Sequence, residues 1–260
     1  MATFSTNQVN ALRSVADMIR ELIDDVNLHF VESGLLISCM DSGHCALIQM
    51  HLTAETINNG GTGFYECTHP CSAGVNFVTL HKILRTASTD DIVTFKMSTD
   101  NPNIMTIELN SEDGQHRGDA KLALLDLDED ELEVPEVEYG AVIKTSPEKF
   151  KQILSYLKYT ESASVIIECI KDEMRFTSEG TLMTMNRVLH ANTDMEMIFN
   201  QPVRLSLSQR YMNIFSKPTG LGTNVSICLH KDMPLMVAYD ITGLGALRLF
   251  LAPQTEDNDE

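Results

Sequence analysis

The sequence predicts an α+β fold made of two similar domains, each with antiparallel sheets and two helices. Three observations support this prediction. Apolar and polar residues alternate in many short segments, as they do in half-buried antiparallel strands. Four segments break this alternation and place their apolar residues at helical spacing. The same order of elements then recurs in the second half of the chain, which indicates duplication of one domain.

The alternation is clearest between residues 46 and 52. Ala46, Ile48, Met50 and Leu52 fall on one face of a predicted strand, and polar residues interrupt the other face. The same pattern predicts hairpins over 92–109 and 225–239. Further strands are predicted near 27–31, 35–40, 165–170, 174–177 and 183–186.

Helices are predicted at about 8–23, 79–87, 146–158 and 208–217. The third opens with Ser146, Pro147 and Glu148, which are a capping residue, a first-turn proline and a favourable acid. The fourth ends before Pro218, since the residue preceding a proline disfavours helical geometry.

The two halves repeat with a shift of about 130 residues, which divides the chain into domains 1–118 and 136–260. Between them lies an acidic segment, 119–135, that ends in Pro135. Its polarity predicts an exposed connector between the domains.

The composition limits the class of protein. The chain has 260 residues, 43% of them apolar, which is enough for a substantial core. It contains no apolar run long enough for a membrane span and begins without a secretory pattern, so we expect a soluble intracellular protein with no membrane partner. The six cysteines are scattered, and we expect most of them to be buried free thiols.

The positions of the basic residues change the meaning of the net charge. A formal charge of −18 taken alone disfavours binding to nucleic acid. However, the four helical segments cover under a fifth of the chain and hold nine of its 19 Lys and Arg residues. These nine are Arg13, Arg20, Lys82, Arg85, Lys149, Lys151, Lys158, Arg210 and Lys217. Such sorting would attract DNA to one surface through its phosphates, independently of sequence.

The motifs in this sequence that could indicate catalysis or a bound metal each lack required residues. The acidic run from Asp126 starts like a calcium loop, but Glu131 and Val137 occupy the positions that need glycine and glutamate. Cys67 and Cys71 lack the second ligand pair that zinc requires. We therefore predict no enzyme activity, no cofactor and no metal site.

Several strings resemble the eukaryotic DNA sliding clamp family. They are SCMDSGHCALIQ (38–49), LLDLDEDELEVPEVEY (124–139), SQRYMNIFSK (208–217), DMPLMVAYDI (232–241) and LFLAPQTED (249–257). Short strings such as Leu-Ala-Pro mean little singly, but all of them in this order cover essentially the whole chain.

The resemblance implies a ring of three copies with helices on the inner wall and sheets outside. The nine basic residues would then face duplex DNA, and the protein would be a polymerase processivity factor. The implied partners are DNA polymerase, the clamp loader, flap nuclease and ligase-type clients. The implied location is the nucleus or a viral replication compartment.

The resemblance also implies a pocket under the connector that receives short client peptides. By matched positions its residues are Met40, Asp41, His44, Leu47, Leu132, Val134, Pro135, Pro234, Phe250, Ala252 and Pro253. A mainly apolar site with a flexible methionine suits varied hydrophobic peptides.

The chain departs from the family pattern at three positions. Ala120 stands where the family has an aromatic residue at the subunit contact, and Ser155 and Tyr159 replace basic residues or histidine on the third helix. Lys171 matches a lysine that some relatives modify with ubiquitin-like proteins. Two alternatives therefore stay open: a checkpoint-type clamp subunit of a heteromeric ring, and a monomeric viral processivity factor.

Overall fold

The structure is a computed structural model that describes residues 1–128, 137–171, 173–191 and 195–254. The chain forms two compact units. Unit 1 comprises Met1–Ser42, Ile48–Leu132 and Ile241–Leu247, and unit 2 comprises Gly43–Leu47, Glu133–Asp240 and Arg248–Glu260. Each combines helices with antiparallel strands, which confirms the predicted α+β class. Among the described residues, no helix combines the length and the apolarity needed to cross a membrane.

Unit 1 contains two groups of strands and three helices. In chain order its elements are β1 (Ala2–Thr6), α1 (Val9–Ile19), β2 (Asp25–Val31), β3 (Gly34–Met40), β4 (Ala46–Thr53), α2 (Ala54–Asn59), β5 (Gly63–Cys67), β6 (Cys71–Asn76), α3 (Phe77–Thr86), β7 (Asp91–Met97), β8 (Ile104–Ser111) and β9 (Arg117–Ala123). One group has the order β5-β1-β7-β8-β9 and the other β4-β3-β2-β6.

Unit 2 repeats this plan. Its elements are β10 (Ala141–Thr145), α4 (Pro147–Leu157), β11 (Ser164–Ile170), β12 (Glu173–Glu179), β13 (Thr184–His190), β14 (Glu196–Phe199), β15 (Val203–Ser208), α5 (Gln209–Phe215), β16 (Val225–Leu229), β17 (Leu235–Ile241) and β18 (Gly245–Leu251). The strand orders are β14-β10-β16-β17-β18 and β13-β12-β11-β15. Strand for strand, β10–β18 match β1–β9, so the predicted internal repeat is confirmed. The short helix α2 is not among the predicted elements, and the described residues of unit 2 contain no counterpart of it.

The predicted apolar faces are buried. Ala46, Ile48, Met50 and Leu52 of β4 are at most 5% exposed. Helix α4 begins as its sequence predicts, because the Ser146 side-chain oxygen accepts a hydrogen bond from the Lys149 backbone N–H at 3.2 Å. The apolar stripes of the helices pack against the strands and leave their polar faces outward.

The helix boundaries differ from the predicted ones by a few residues. Helix α1 ends at Ile19 instead of about residue 23, and the backbone N–H groups of Leu22 and Ile23 both bond to the Ile19 carbonyl in a tightened turn. Helix α3 begins two residues earlier than predicted, at Phe77, because Asn76 caps it by accepting from the Thr79 N–H at 3.0 Å.

The sheet extends into the predicted connector. Residues 119–123 were assigned to the connector, but they belong to β9, which pairs with β8 from Asn110↔Arg117 to Ile104↔Ala123. That part of the prediction is wrong. The strand was missed because β9 is an edge strand, where only Leu122 is buried and exposed polar residues hide the alternation.

All six cysteines are free thiols, but their burial differs from expectation. Only Cys169 and Cys228 are fully buried. Cys45 is exposed, and Cys39, Cys67 and Cys71 are half-buried because they lie at or near strand ends. The expectation that most would be buried is therefore wrong.

Candidate nucleic-acid interface and client pocket

In unit 1, α1 and α3 lie side by side and Arg13 connects them. The Arg13 side chain is half-buried, and its Nε donates to the Leu84 carbonyl oxygen at 2.9 Å. Its Nη2 donates to the Arg85 carbonyl at 3.4 Å. These carbonyls belong to the last turn of α3, where a cation is favourable for the helix dipole. Arg13 therefore holds the helix pair together in addition to supplying positive charge.

A second cluster on the same two helices centres on Asp17. Arg20 donates from Nε to the Asp17 carboxylate at 3.1 Å, and the buried His81 places Nε2 at 2.7 Å from the same oxygen. The charge of Arg20 is thus partly neutralised within the protein, which weakens its attraction for an external phosphate.

The two basic residues of α3 differ from Arg13 and Arg20 in that their cationic groups have no described partner. Lys82 and Arg85 are both exposed, and no described carboxylate lies within 4.0 Å of either cationic group. Their charge is available to an external anion.

In unit 2, α4 and its C-cap residue carry three lysines. Its buried face consists of Pro147, Phe150, Ile153, Leu154 and Leu157. Lys151 and Lys158 are exposed and Lys149 is half-buried, and none of the three has an ion pair with a described carboxylate. Tyr159, next to Lys158, is 74% exposed.

Helix α5 packs against α4 and adds two basic residues. Arg210 is exposed, with its guanidinium carbon 5.8 Å from the centre of the Tyr211 ring. Lys217 is also exposed, but it lies beyond the helix, which ends at Phe215.

Three predicted helices carry two basic residues seven positions apart, which would place each pair on one helical face: Arg13/Arg20, Lys151/Lys158 and Arg210/Lys217. The structure shows that this spacing is only partly a helical feature. Arg20 and Lys158 are the C-cap residues of α1 and α4, and Lys217 follows the C-cap residue of α5. The second member of each pair therefore marks a helix C-terminus, where positive charge stabilises the unpaired carbonyls. Sequence spacing alone could not distinguish this from a continuous helical face.

Of the eight basic residues on the strands, four have a described carboxylate partner within 4.0 Å. Lys96 contacts Glu108 at 2.6 Å and Lys144 contacts Glu196 at 3.3 Å. Arg175 contacts Glu173 at 2.6 Å, and Arg204 lies 3.7 Å from Glu168. These strand cations are neutralised locally.

Acidic residues are scarce on the four predicted helices. Within their observed bounds, α1, α3, α4 and α5 contain six basic residues and two acidic ones, Asp17 and Glu148. In a chain of net charge −18 this distribution concentrates positive potential on the helix surfaces. Such a surface attracts phosphates without reading bases.

The first part of the predicted client pocket lies at the end of β3 and the start of β4. Met40 is half-buried, Asp41 is 3% exposed and Leu47 is 9% exposed. His44 is exposed and has a left-handed backbone with φ of 52°, an uncommon conformation for a residue other than glycine.

The second part lies near the end of the described chain in unit 2. Phe250 is 5% exposed, Pro234 and Pro253 are half-buried, and Ala252 is exposed. The Ala252 backbone N–H donates to the Cys45 carbonyl at 2.9 Å, which holds this segment next to the loop that contains His44. The predicted connector residues Leu132, Val134 and Pro135 lie outside the described residues.

The start of the connector is attached to unit 1 in a way that sequence reasoning missed. The Leu125 N–H donates to the Gly74 carbonyl at 2.7 Å, and the Asn27 side-chain amide donates to the Asp128 carbonyl at 3.2 Å. A Cβ atom on Gly74 would lie 2.3 Å from the Leu125 carbonyl oxygen. A glycine inside a strand was the one available signal, since it often marks a close backbone approach.

Comparison with known proteins finds the same family over both halves of the chain. The family description "Proliferating cell nuclear antigen, N-terminal domain" matches residues 1–131, and "Proliferating cell nuclear antigen, C-terminal domain" matches residues 133–254. The chain is also 34% identical over 259 residues to proliferating cell nuclear antigen from Chaetomium thermophilum, covering 97% of each chain.

Proposed function

The chain belongs to the proliferating cell nuclear antigen family, and we propose that three copies of it close into a ring around duplex DNA. It is a DNA sliding clamp, a processivity factor of DNA replication, and its family is not one of enzymes. A closed ring retains DNA topologically, so contacts with the phosphates can be weak enough to permit sliding.

The observation that carries this proposal is the difference between helix and strand cations. Lys82, Arg85, Lys149, Lys151 and Lys158 have no described carboxylate partner, and among the nine predicted residues Arg20 has one, whereas four of the eight strand cations do. Leaving a cation unpaired is favourable where an external anion neutralises it. The proposed DNA-facing set therefore consists of these five cations together with Arg13, Arg20, Arg210 and Lys217.

The proposed subunit contact joins two edge strands. β9 is at one end of its strand order in unit 1, and β13 is at one end of its order in unit 2. Edge strands present unpaired backbone groups that another chain can extend. Beside β13, Leu182 is 95% exposed and Met183 47%, which supplies apolar area for a contact. Pairing β9 of one copy with β13 of the next is a head-to-tail contact, which can close a ring.

Clients are proposed to bind at the pocket predicted by the resemblance. DNA polymerase, the clamp loader, flap nuclease and ligase-type proteins would each insert a short hydrophobic peptide there. In unit 2, half-buried Pro234 and Pro253 and nearly buried Leu47 and Phe250 would give such a peptide apolar area. We place this activity in the nucleus, or in a viral replication compartment if the protein is encoded by a virus.

Charge reversal tests the DNA-facing set. Lys82→Glu, Arg85→Glu, Lys151→Glu and Lys158→Glu together should lower the processivity of a clamp-dependent polymerase and reduce the salt dependence of DNA retention. The control is Lys144→Glu with Lys231→Glu, to be compared with the two-residue variant Lys82→Glu with Lys151→Glu, because half-buried Lys144 and exposed Lys231 face carboxylates at 3.3 and 3.7 Å. Equal processivity in the helix variant and the wild type would contradict the proposed interface.

Light scattering tests the ring. We expect a species near three times 29.0 kDa. A persistent monomer at micromolar concentration would contradict the homotrimer. If that monomer still supported a polymerase it would favour the monomeric processivity factor, and if it required a second clamp protein it would favour the subunit of a heteromeric ring.

A further inference from the structure

Two half-buried thiols bracket the turn between β5 and β6 in unit 1. β5 ends at Cys67 and β6 begins at Cys71, with only Thr68, His69 and Pro70 between them. Neither thiol has a role in the DNA-facing set or in the client pocket. Among the described residues, no group of three or more His, Cys, Asp and Glu could hold a metal ion, so a metal site does not account for the pair.

The fold brings both cysteines to the same residue of β2. The Cys67 sulfur lies 3.5 Å from the Phe30 carbonyl oxygen, and Phe30 is the residue that pairs with Cys71 in the β2–β6 register. Paired residues in antiparallel strands have Cα atoms about 4.5–5.5 Å apart. The Cys67 sulfur also lies 3.2 Å from the His69 carbonyl, so the turn folds back over the thiol.

From this juxtaposition we propose that Cys67 and Cys71 form an oxidation-sensitive dithiol that closes reversibly into an intramolecular disulfide. The oxidant is a hydroperoxide. The Cys67 sulfur attacks one peroxide oxygen, the O–O bond breaks, and the products are a Cys67 sulfenic acid and water or an alcohol. The Cys71 thiol then attacks the Cys67 sulfur and displaces the hydroxyl group as water. The two sulfurs together lose two electrons, which reduce the peroxide.

The surroundings distinguish the two sulfurs. Burial, and then the neighbouring Cys67, raise the pKa of the Cys71 thiol. A thiol with a raised pKa is a poor first nucleophile, so Cys71 takes the second step. Burial, and then Cys67, also raise the pKa of the Tyr65 hydroxyl, and Cys71 adds a smaller contribution, as expected if both sulfurs share one neighbourhood.

The disulfide would act on the strand that leads to the DNA-facing helix. β6 ends at Asn76, and α3 begins at the next residue and carries Lys82 and Arg85. A covalent bond between the end of β5 and the start of β6 would therefore restrain the segment that positions those cations.

Mass spectrometry of the oxidised full-length protein tests the proposal. Cleavage after Glu66 and after Lys82 releases the fragment Cys67–Lys82, which contains both cysteines and no other. After hydrogen peroxide treatment of the folded protein, we expect this fragment to be lighter by two hydrogens, to resist alkylation and to regain two alkylatable thiols with dithiothreitol. Oxidation should be about tenfold faster in the folded protein than in urea, because the fold positions the thiols.

Two variants separate this pair from the other cysteines. Cys71→Ser should leave Cys67 unable to form the intramolecular bond, whereas Cys39→Ser should leave the oxidised fragment unchanged. Recovery of a fragment alkylated at both cysteines after peroxide treatment, linkage of Cys67 to Cys45, or equal rates in folded and unfolded protein would each overturn the proposal.

Discussion

Arg13 on α1 donates a hydrogen bond from Nε to the carbonyl oxygen of Leu84 on α3 at 2.9 Å. A residue that its position on a predicted helix assigns to DNA binding therefore also joins two helices that are far apart in the chain. The effect of the Arg13 hydrogen bond on stability can be separated from the effect of its charge. Lys82 on α3 is an exposed cation that makes no hydrogen bond of this kind, so its removal changes the charge alone.

Arg13→Met should lower the free energy of unfolding by about 1–2 kcal/mol, since it removes the Arg13 hydrogen bonds to the Leu84 and Arg85 carbonyls and leaves the Leu84 carbonyl only the Ala87 N–H at 3.3 Å. The matched control is Lys82→Met, which removes the same charge from an exposed position and should change stability by no more than about 0.5 kcal/mol. Urea denaturation measures both. Equal stability in the two variants would show that the Arg13 bond contributes nothing beyond its charge.

Gly74→Ala should displace the start of the connector, because the new Cβ would lie 2.3 Å from the Leu125 carbonyl oxygen. We expect a loss of about 1–3 kcal/mol in urea denaturation and faster hydrogen exchange at residues 124–128. Gly220→Ala is the control, since no heavy atom lies within 4 Å of its added Cβ. It should be neutral or slightly stabilising. Unchanged exchange at 124–128 in Gly74→Ala would contradict the attachment of the connector.

Leu132→Ser with Val134→Ser should weaken the binding of a client peptide roughly tenfold to a hundredfold, because the proposed pocket would lose two apolar side chains. A fluorescent peptide with an aliphatic residue and paired aromatics is a suitable probe for anisotropy titration. Leu125→Ser serves as the control, since this connector leucine is 41% exposed and is not among the proposed pocket residues. Full affinity in the double variant would show that the client peptide binds at another site.

Ala120→Tyr should strengthen self-association, because it adds an aromatic side chain to the edge strand β9 at the proposed subunit contact. An aromatic contact contributes about 1 kcal/mol beyond its buried area, so the dissociation constant should fall roughly fivefold to tenfold. Ala123→Tyr is a control on the same strand, three residues away and on the opposite face. Sedimentation at a series of concentrations measures the change. An equal gain from both variants would indicate nonspecific association.

The sequence by itself determined the elements whose signal is local. The alternation through β4 and the Ser146 cap of α4 depend on residues a few positions apart, and both are observed. The family strings and the repeated order of elements identified the clamp, because both are read directly from the order of residues along the chain. Helix ends were less accurate, because single hydrogen bonds such as the Asn76 cap move them by one or two residues.

Only the tertiary structure decided the features that depend on distant parts of the chain. β9 is a strand because β8 pairs with it, and its own exposed residues do not reveal this. Gly74 is required because the Leu125 carbonyl lies where a Cβ atom would be. The Cys67 sulfur contacts Phe30 of β2, which is the strand partner of Cys71. Which cations pair with carboxylates, and which stay available to DNA, likewise depends on neighbours supplied by the fold. Charge in a sequence is a count, whereas the potential at a surface depends on where each opposite charge lies.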